Sequence, residues 1–155
     1  MQRRSVCVAQ VARRLLPHGE HRDDAFTAAL LHDVGLLALA ADEGDYLACA
    51  LARARVERRP VVEIELEERG ITHAELGAQL LAQWGLPDAI VEAVAYHHRP
   101  SALHQPRLDA VAAVAIACGL VDDRLDADYT ASLGVTDRLD DWRAIAAEVV
   151  GGPTS

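Results

Sequence analysis

Aromatic side chains are scarce in this chain of 155 residues: one Phe, two Trp and three Tyr make up 4% of it. Sheet proteins draw heavily on aromatic and β-branched residues, whereas a chain that is 51% hydrophobic through Ala and Leu suits closely packed amphipathic helices. Positive charge is also short, with 15 basic against 24 acidic residues and a formal net charge of −9. Attraction to a nucleic-acid backbone or an anionic membrane surface therefore gains nothing from the global field, and neither partner is expected. Cys7, Cys49 and Cys118 are odd in number and far apart, unlike the framework of a small secreted domain, so a reducing, cytoplasmic setting is expected. No apolar run reaches the roughly 18 to 20 residues of a membrane crossing without strongly polar interruption, and the N-terminus lacks a secretory pattern. A Ser-centred nucleophile elbow, a phosphate-cradling Gly loop and paired CxxC units are all missing.

The length fits one domain, expected over 1–150 with a flexible tail at 151–155. Neither an internal repeat nor a low-complexity linker divides it. Val8, Val11, Ala12 and Leu15 share a helical face over 5–16, and Arg3, Arg4, Arg13 and Arg14 around it read as a solvated basic face. Pro17 and Gly19 close this helix. Asp23 and Asp24 are expected to accept bonds from the first amides of the next, on which Phe26, Ala29, Leu30, Asp33 and Leu37 fall on overlapping faces, with Gly35 permitting close approach or a bend. Another helix follows Asp42, carrying Tyr46, Leu47, Ala50 and Leu51. Residues 61–67 alternate apolar and acidic, but a lone strand would leave its edges unpaired, so a helix or irregular connection is expected.

Thr72 and Glu75 form a capping-box signature, and Leu76, Leu80, Leu81 and Trp84 are the expected buried side of that helix. Gly85 ends it and Pro87 suits the next start, after which Ile90, Val94, His97 and His98 fall in one inward sector before Arg99–Pro100. An Ala-rich helix is expected over about 107–120, with Leu108, Val111, Ala115 and Cys118 at core spacing. Loops and one short helix over 121–141 precede a final amphipathic helix bearing Trp142, Ile145, Ala146 and Val149. The expected architecture is an all-α, compact multi-helix bundle.

Three of these helices deliver His32–Asp33, His73 and His97–His98 inward. Neutral imidazoles and a carboxylate are suitable ligands for a divalent transition metal; they could equally bind phosphate as imidazolium or form a hydrogen-bond network without a metal. His18, His21 and His104, beside turn residues, read as surface side chains, and Cys118 as a buried thiol.

The ordered segments Ala28-Ala29-Leu30-Leu31-His32-Asp33-Val34-Gly35, His73-Ala74-Glu75-Leu76-Gly77, Trp84-Gly85-Leu86-Pro87 and His97-His98 resemble the HD-related output domain family, HDOD, over about Arg3 to Leu120. The resemblance implies an all-helical core akin to HD-type metal-dependent phosphohydrolases, used mainly in bacterial signalling and often without demonstrated catalysis. It also implies that His32, Asp33, His73, His97 and His98 match metal-ligand positions. Two residues depart from the pattern: Arg4 stands where a first ligand His would be, and Cys118 stands near the final Asp, although Asp109 on the same helix could turn to the pocket instead. There is no Gly-Tyr-Pro run of the cyclic-dinucleotide phosphodiesterase subgroup, and the chain resembles the C-terminal part of a longer HDOD module, which would leave a surface for another domain or subunit. The function implied is a noncatalytic signalling or protein-interaction domain, whose partner is another protein domain or a further copy of the chain. The alternative is a phosphohydrolase acting on a nucleotide or other phosphate ester.

Overall fold

The computed structural model describes residues 2–17, 19–103 and 106–152; His18, His104 and the end of the tail lie outside them. Among the described residues the regular secondary structure is all helical, with no strand. The helices are α1 (Gln2–Leu15), α2 (Glu20–Leu31), α3 (Val34–Asp42), α4 (Gly44–Glu57), α5 (Val61–Arg69), α6 (His73–Gln83), α7 (Asp88–Tyr96), α8 (Ala110–Val121), α9 (Ala127–Ser132) and α10 (Leu139–Gly151). Short 3-10 turns lie at Pro100–Ala102 and Thr136–Arg138.

Helix α8 forms the centre of the bundle. Eight of its residues are buried, from Ala110 to Cys118, and a helix apolar on every side belongs inside other helices. It packs against α1, α2, α7 and α10, while α6 joins the assembly through α7 and α3. On α1 the predicted stripe of Val8, Val11, Ala12 and Leu15 is fully buried. Residues 21–42, taken as one helical run, have the length of a membrane span and contain an 18-residue window with a mean hydropathy of 1.4. This run nevertheless bends at His32–Asp33, and its two helices pack on α1, α6, α7 and α8.

Several local expectations give way to the structure. Asp23 and Asp24 do not cap α2, which starts earlier, at Glu20 behind Gly19. The turn at His32–Asp33 restarts the helical phase, so Gly35 and Leu39 of α3 face inward and Leu37 is 57% exposed. Trp84 is 64% exposed because it is the C-cap of α6: the chain turns away through Gly85 at φ +77°, and Leu81 is the last core residue of the helix. At 61–67 the expectation holds: of a helix or an irregular connection, the run is the helix α5. Leu108 precedes α8, whose N-cap is Asp109.

Helices α4 and α5 form a hairpin with a small core of its own, Ala50, Ala54 and Ile64 with Tyr46 and Val61 against them. Outside this core, Arg53 pairs with Glu57, Glu67 and Glu68, and Arg59 with Glu57, Glu63 and Glu67. The hairpin rests mainly on α3.

One backbone contact sets the distance between two halves of the site. A Cβ on Gly35 would lie 1.9 Å from the His73 carbonyl oxygen and 2.9 Å from the Gly77 nitrogen. Only two glycines let α3 and α6 cross this closely, which brings the start of α3 beside the start of α6.

Candidate functional site

Each site residue sits at a helix end. His32 and Asp33 form the turn between α2 and α3, His73 is the first residue of α6, and His97 caps the C-terminus of α7 with His98 following it. Thr72 opens α6 with the predicted capping box: its hydroxyl accepts the Glu75 amide, and the Glu75 carboxylate accepts the Thr72 amide. Asp33 occupies the N-cap of α3 without capping it. Its carboxylate is engaged in the site instead.

The imidazoles are oriented from behind. His32 Nδ1 donates to the Ala29 carbonyl at 2.6 Å and His97 Nδ1 to the Val94 carbonyl at 2.8 Å. His73 Nδ1 lies 2.9 and 3.0 Å from the two oxygens of Glu65, which also accepts the His73 amide at 2.9 Å. Glu65 is only 1% exposed, and through the amide it satisfies one of the unpaired donors at the N-terminus of α6. With the Nδ1 protons so committed, the Nε2 lone pairs remain for the interior; metal-binding histidines are oriented in this way by their outer partners.

These nitrogens converge. His73 Nε2 lies 3.2 Å from His98 Nε2 and 3.7 Å from Asp33 Oδ1. One ligand atom each from Asp33, His73, His97 and His98 lies within 4.8 Å of the others. His97 Nε2 is buried with no hydrogen-bond partner among the described residues. Burial drives the His97 pKa well below its ordinary value, helped by His98 and His32 nearby; burial and His73 take His98 down to about 3. Both rings are therefore neutral donors at physiological pH. The donor set fits a divalent transition ion, for which imidazole nitrogen with one carboxylate oxygen is a usual environment.

Arg4 enters the same space. Its basic neighbours Arg13 and Arg14 are 53% and 41% exposed, but Arg4 turns inward from the face where all of them were expected to be solvated. Its Nη1 donates to Asp33 Oδ2 at 2.7 Å and contacts His32 Nε2. Its Nε and Nη2 hold Asp122 in a two-pronged pair at 3.0 and 2.7 Å. Burial alone would raise the Asp33 pKa, but the bond from His32 and the charges of His32 and Arg4 outweigh it and hold this carboxyl well below the usual range. His32 experiences opposing demands. Burial disfavours a proton there, Asp33 and Cys118 favour one enough to raise the pKa, and the Arg4 N–H competes for the same nitrogen.

The structure therefore brings Asp33, His73, His97 and His98 into one donor set, while His32 lies beside it facing Arg4. Cys118 lies against His32 and lines a cleft of about 310 Å³ with Arg4, His97, His98 and Asp122. Asp109 does not reach the pocket: it accepts the Ala112 amide at the start of α8. Glu65 and Asp122 were missed in the sequence. Read as a helix, 61–67 places Glu65 one turn from Val61 and Val62 on the inner side, a signal that the apparent alternation hid; nothing distinguishes Asp122 from its acidic neighbours.

The sequence profile of the HDOD domain family matches residues 1–100. The chain belongs to the HDOD family. All four HDOD-like donor residues and Arg4 fall inside the matched stretch, whereas Cys118 and Asp122 lie beyond it. Two crystal structures share the fold of this HDOD chain. A "putative phosphohydrolase" from Shewanella amazonensis SB2B has a TM-score of 0.70 at 21% identity, with 97% of this chain and 58% of that one covered. An HDOD domain protein with unknown function from Geobacter sulfurreducens has a TM-score of 0.71 at 20% identity, covering 96% and 61%. The chain thus spans about three-fifths of either structure. No curated protein matches it.

Proposed function

We propose that this HDOD domain is a noncatalytic signalling or protein-interaction module, working in the cytoplasm on another protein domain or subunit. The observation that carries the reading is the Arg4 guanidinium bound to Asp33 and Asp122 and in contact with His32. A fixed organic cation occupies one side of the HD pair, neutralises its carboxylate and lends no lone pair to a metal. The pocket then serves as a packed polar core that holds α1, α2, α6 and α7 in register, and the outer helical surface is what a partner meets. The test is a panel of phosphate esters offered to metal-replete protein, alongside crosslinking. No turnover and a captured partner are expected. Turnover that disappears in His32→Ala, or a strictly monomeric chain that crosslinks to nothing, would count decisively against it.

A second reading is supported by the unpartnered His97 Nε2 and the donors grouped within 4.8 Å: a divalent-metal-dependent phosphohydrolase acting on a nucleotide or other phosphate ester. Asp33, His73, His97 and His98 would hold the ion, whose contribution is Lewis-acid polarisation of the phosphate. Glu65 keeps His73 aimed, and Arg4 at the cleft would attract the phosphate charge.

A further inference from the structure

We propose that the pocket is a one-cation site divided by Asp33: Arg4 permanently serves the Oδ2 side together with His32, and a single late transition ion is taken by Asp33 Oδ1, His73, His97 and His98, with Glu65 as the residue that positions His73. This inference is independent of whether the domain turns over any phosphoester.

The division follows from which atoms are already in use. Asp33 Oδ2 accepts Arg4 at 2.7 Å and lies 3.1 Å from His32 Nε2, so this oxygen and His32 are committed to the guanidinium side. Asp33 Oδ1 instead faces His73 Nε2. On that side His73 Nε2 and His98 Nε2 lie 3.2 Å apart, and His97 Nε2 has no hydrogen-bond partner among the described residues. A buried acceptor left unsatisfied destabilises the fold, and a bound ion removes that cost. Three imidazoles and one carboxylate favour Zn²⁺, Co²⁺ or Ni²⁺ over Mg²⁺, which prefers oxygen ligands and retained water. Arg4 supplies beside this set the charge that a second ion would bring, so repulsion and the lack of free donors limit the site to one.

Glu65 contributes from outside the donor set. Its oxygens take the Nδ1 proton of His73 and the His73 amide together, which fixes the ring's tautomer and its orientation. Loss of such an outer partner typically weakens metal binding about 10–100-fold.

The experiment is titration of the metal-stripped full chain with Co²⁺, followed by its visible absorption, with Zn²⁺ and Mg²⁺ as competitors and elemental analysis for stoichiometry. One equivalent should bind, displaced by Zn²⁺ and not by Mg²⁺. Glu65→Gln should weaken binding about 10–100-fold at unchanged stoichiometry. His98→Ala, at the exposed rim, should weaken it while leaving the circular dichroism unchanged, and decides the matter if Glu65→Gln does not fold. Arg4→His, which removes the fixed charge and adds a donor, should raise the stoichiometry to two. No Co²⁺ spectrum, two equivalents in the unaltered chain, or loss of binding in His32→Ala as large as in His98→Ala would overturn the proposal.

Discussion

Replacing Arg4 by Met keeps the length of the side chain and removes its charge, leaving Asp33, 12% exposed, with His32 in place of two cationic neighbours. Breaking a fully buried pair by removing one partner costs roughly 3–5 kcal/mol. Arg4 is 30% exposed and Asp122 35%, so water compensates part of that loss, and the Asp122 half resembles a surface pair worth about 1 kcal/mol at most. A net destabilisation of about 1–3 kcal/mol at neutral pH follows, which for a domain of this size lowers Tm by roughly 2–4 °C per kcal/mol. Thermal denaturation followed by circular dichroism measures it directly. Asp122→Asn is the internal comparison and should lose no more than about 1 kcal/mol, most of it at low salt. Equal losses in the two variants, or an Arg4→Met chain as stable as the original, would refute the assignment of Arg4 to Asp33.

Three further outcomes are expected. In metal-free protein the depressed His97 and His98 keep the folded state from binding protons that the unfolded chain takes up, so their sign is that of stability present above the unfolded pKa near 6.5. That stability should fall as pH drops from about 6.5 toward the value of about 3 for His98; urea unfolding that is flat over this window would contradict the burial of these rings. Gly35→Ala should cost about 1–3 kcal/mol or more through overpacking, since its methyl meets the His73 backbone, whereas Gly44→Ala, which meets nothing within 4 Å, should be neutral or slightly stabilising in the same melts. His73→Leu leaves buried Glu65 with only the backbone amide of residue 73 and should cost about 1–3 kcal/mol, while His21→Leu on the exposed surface should stay within about 0.5 kcal/mol; indistinguishable Tm values for the two would undo this ranking.

The helical fold was legible because its local signals agree with one another: the Val8–Leu15 stripe, the Thr72 capping box and the all-apolar α8 each point to the same elements. Pattern reading failed where a helix changes phase or stops, at Leu37 after the His32–Asp33 turn and at Trp84 beside Gly85, because periodicity carries no information across a break. At α5 it left a helix and an irregular connection both open, because alternating Glu and aliphatic residues satisfy two periods at once. The histidine and Asp33 positions were visible as a motif. Which way Arg4 would point was not, since that depends on Asp33 and Asp122, one from the α2–α3 turn and the other from beyond α8, being on the same side of α1.

The α4–α5 hairpin gives the buried histidines a handle that can be reached from outside. Its small private core and its surface arginine network hold it together largely by itself, yet it lends Glu65 to His73. Anything that loosens the hairpin therefore withdraws the support behind one imidazole, and by reciprocity anything that fixes that imidazole makes the hairpin's opening less favourable. The amide exchange rates of α5 thus become a readout, some distance along the chain, of whether the interior nitrogens are engaged.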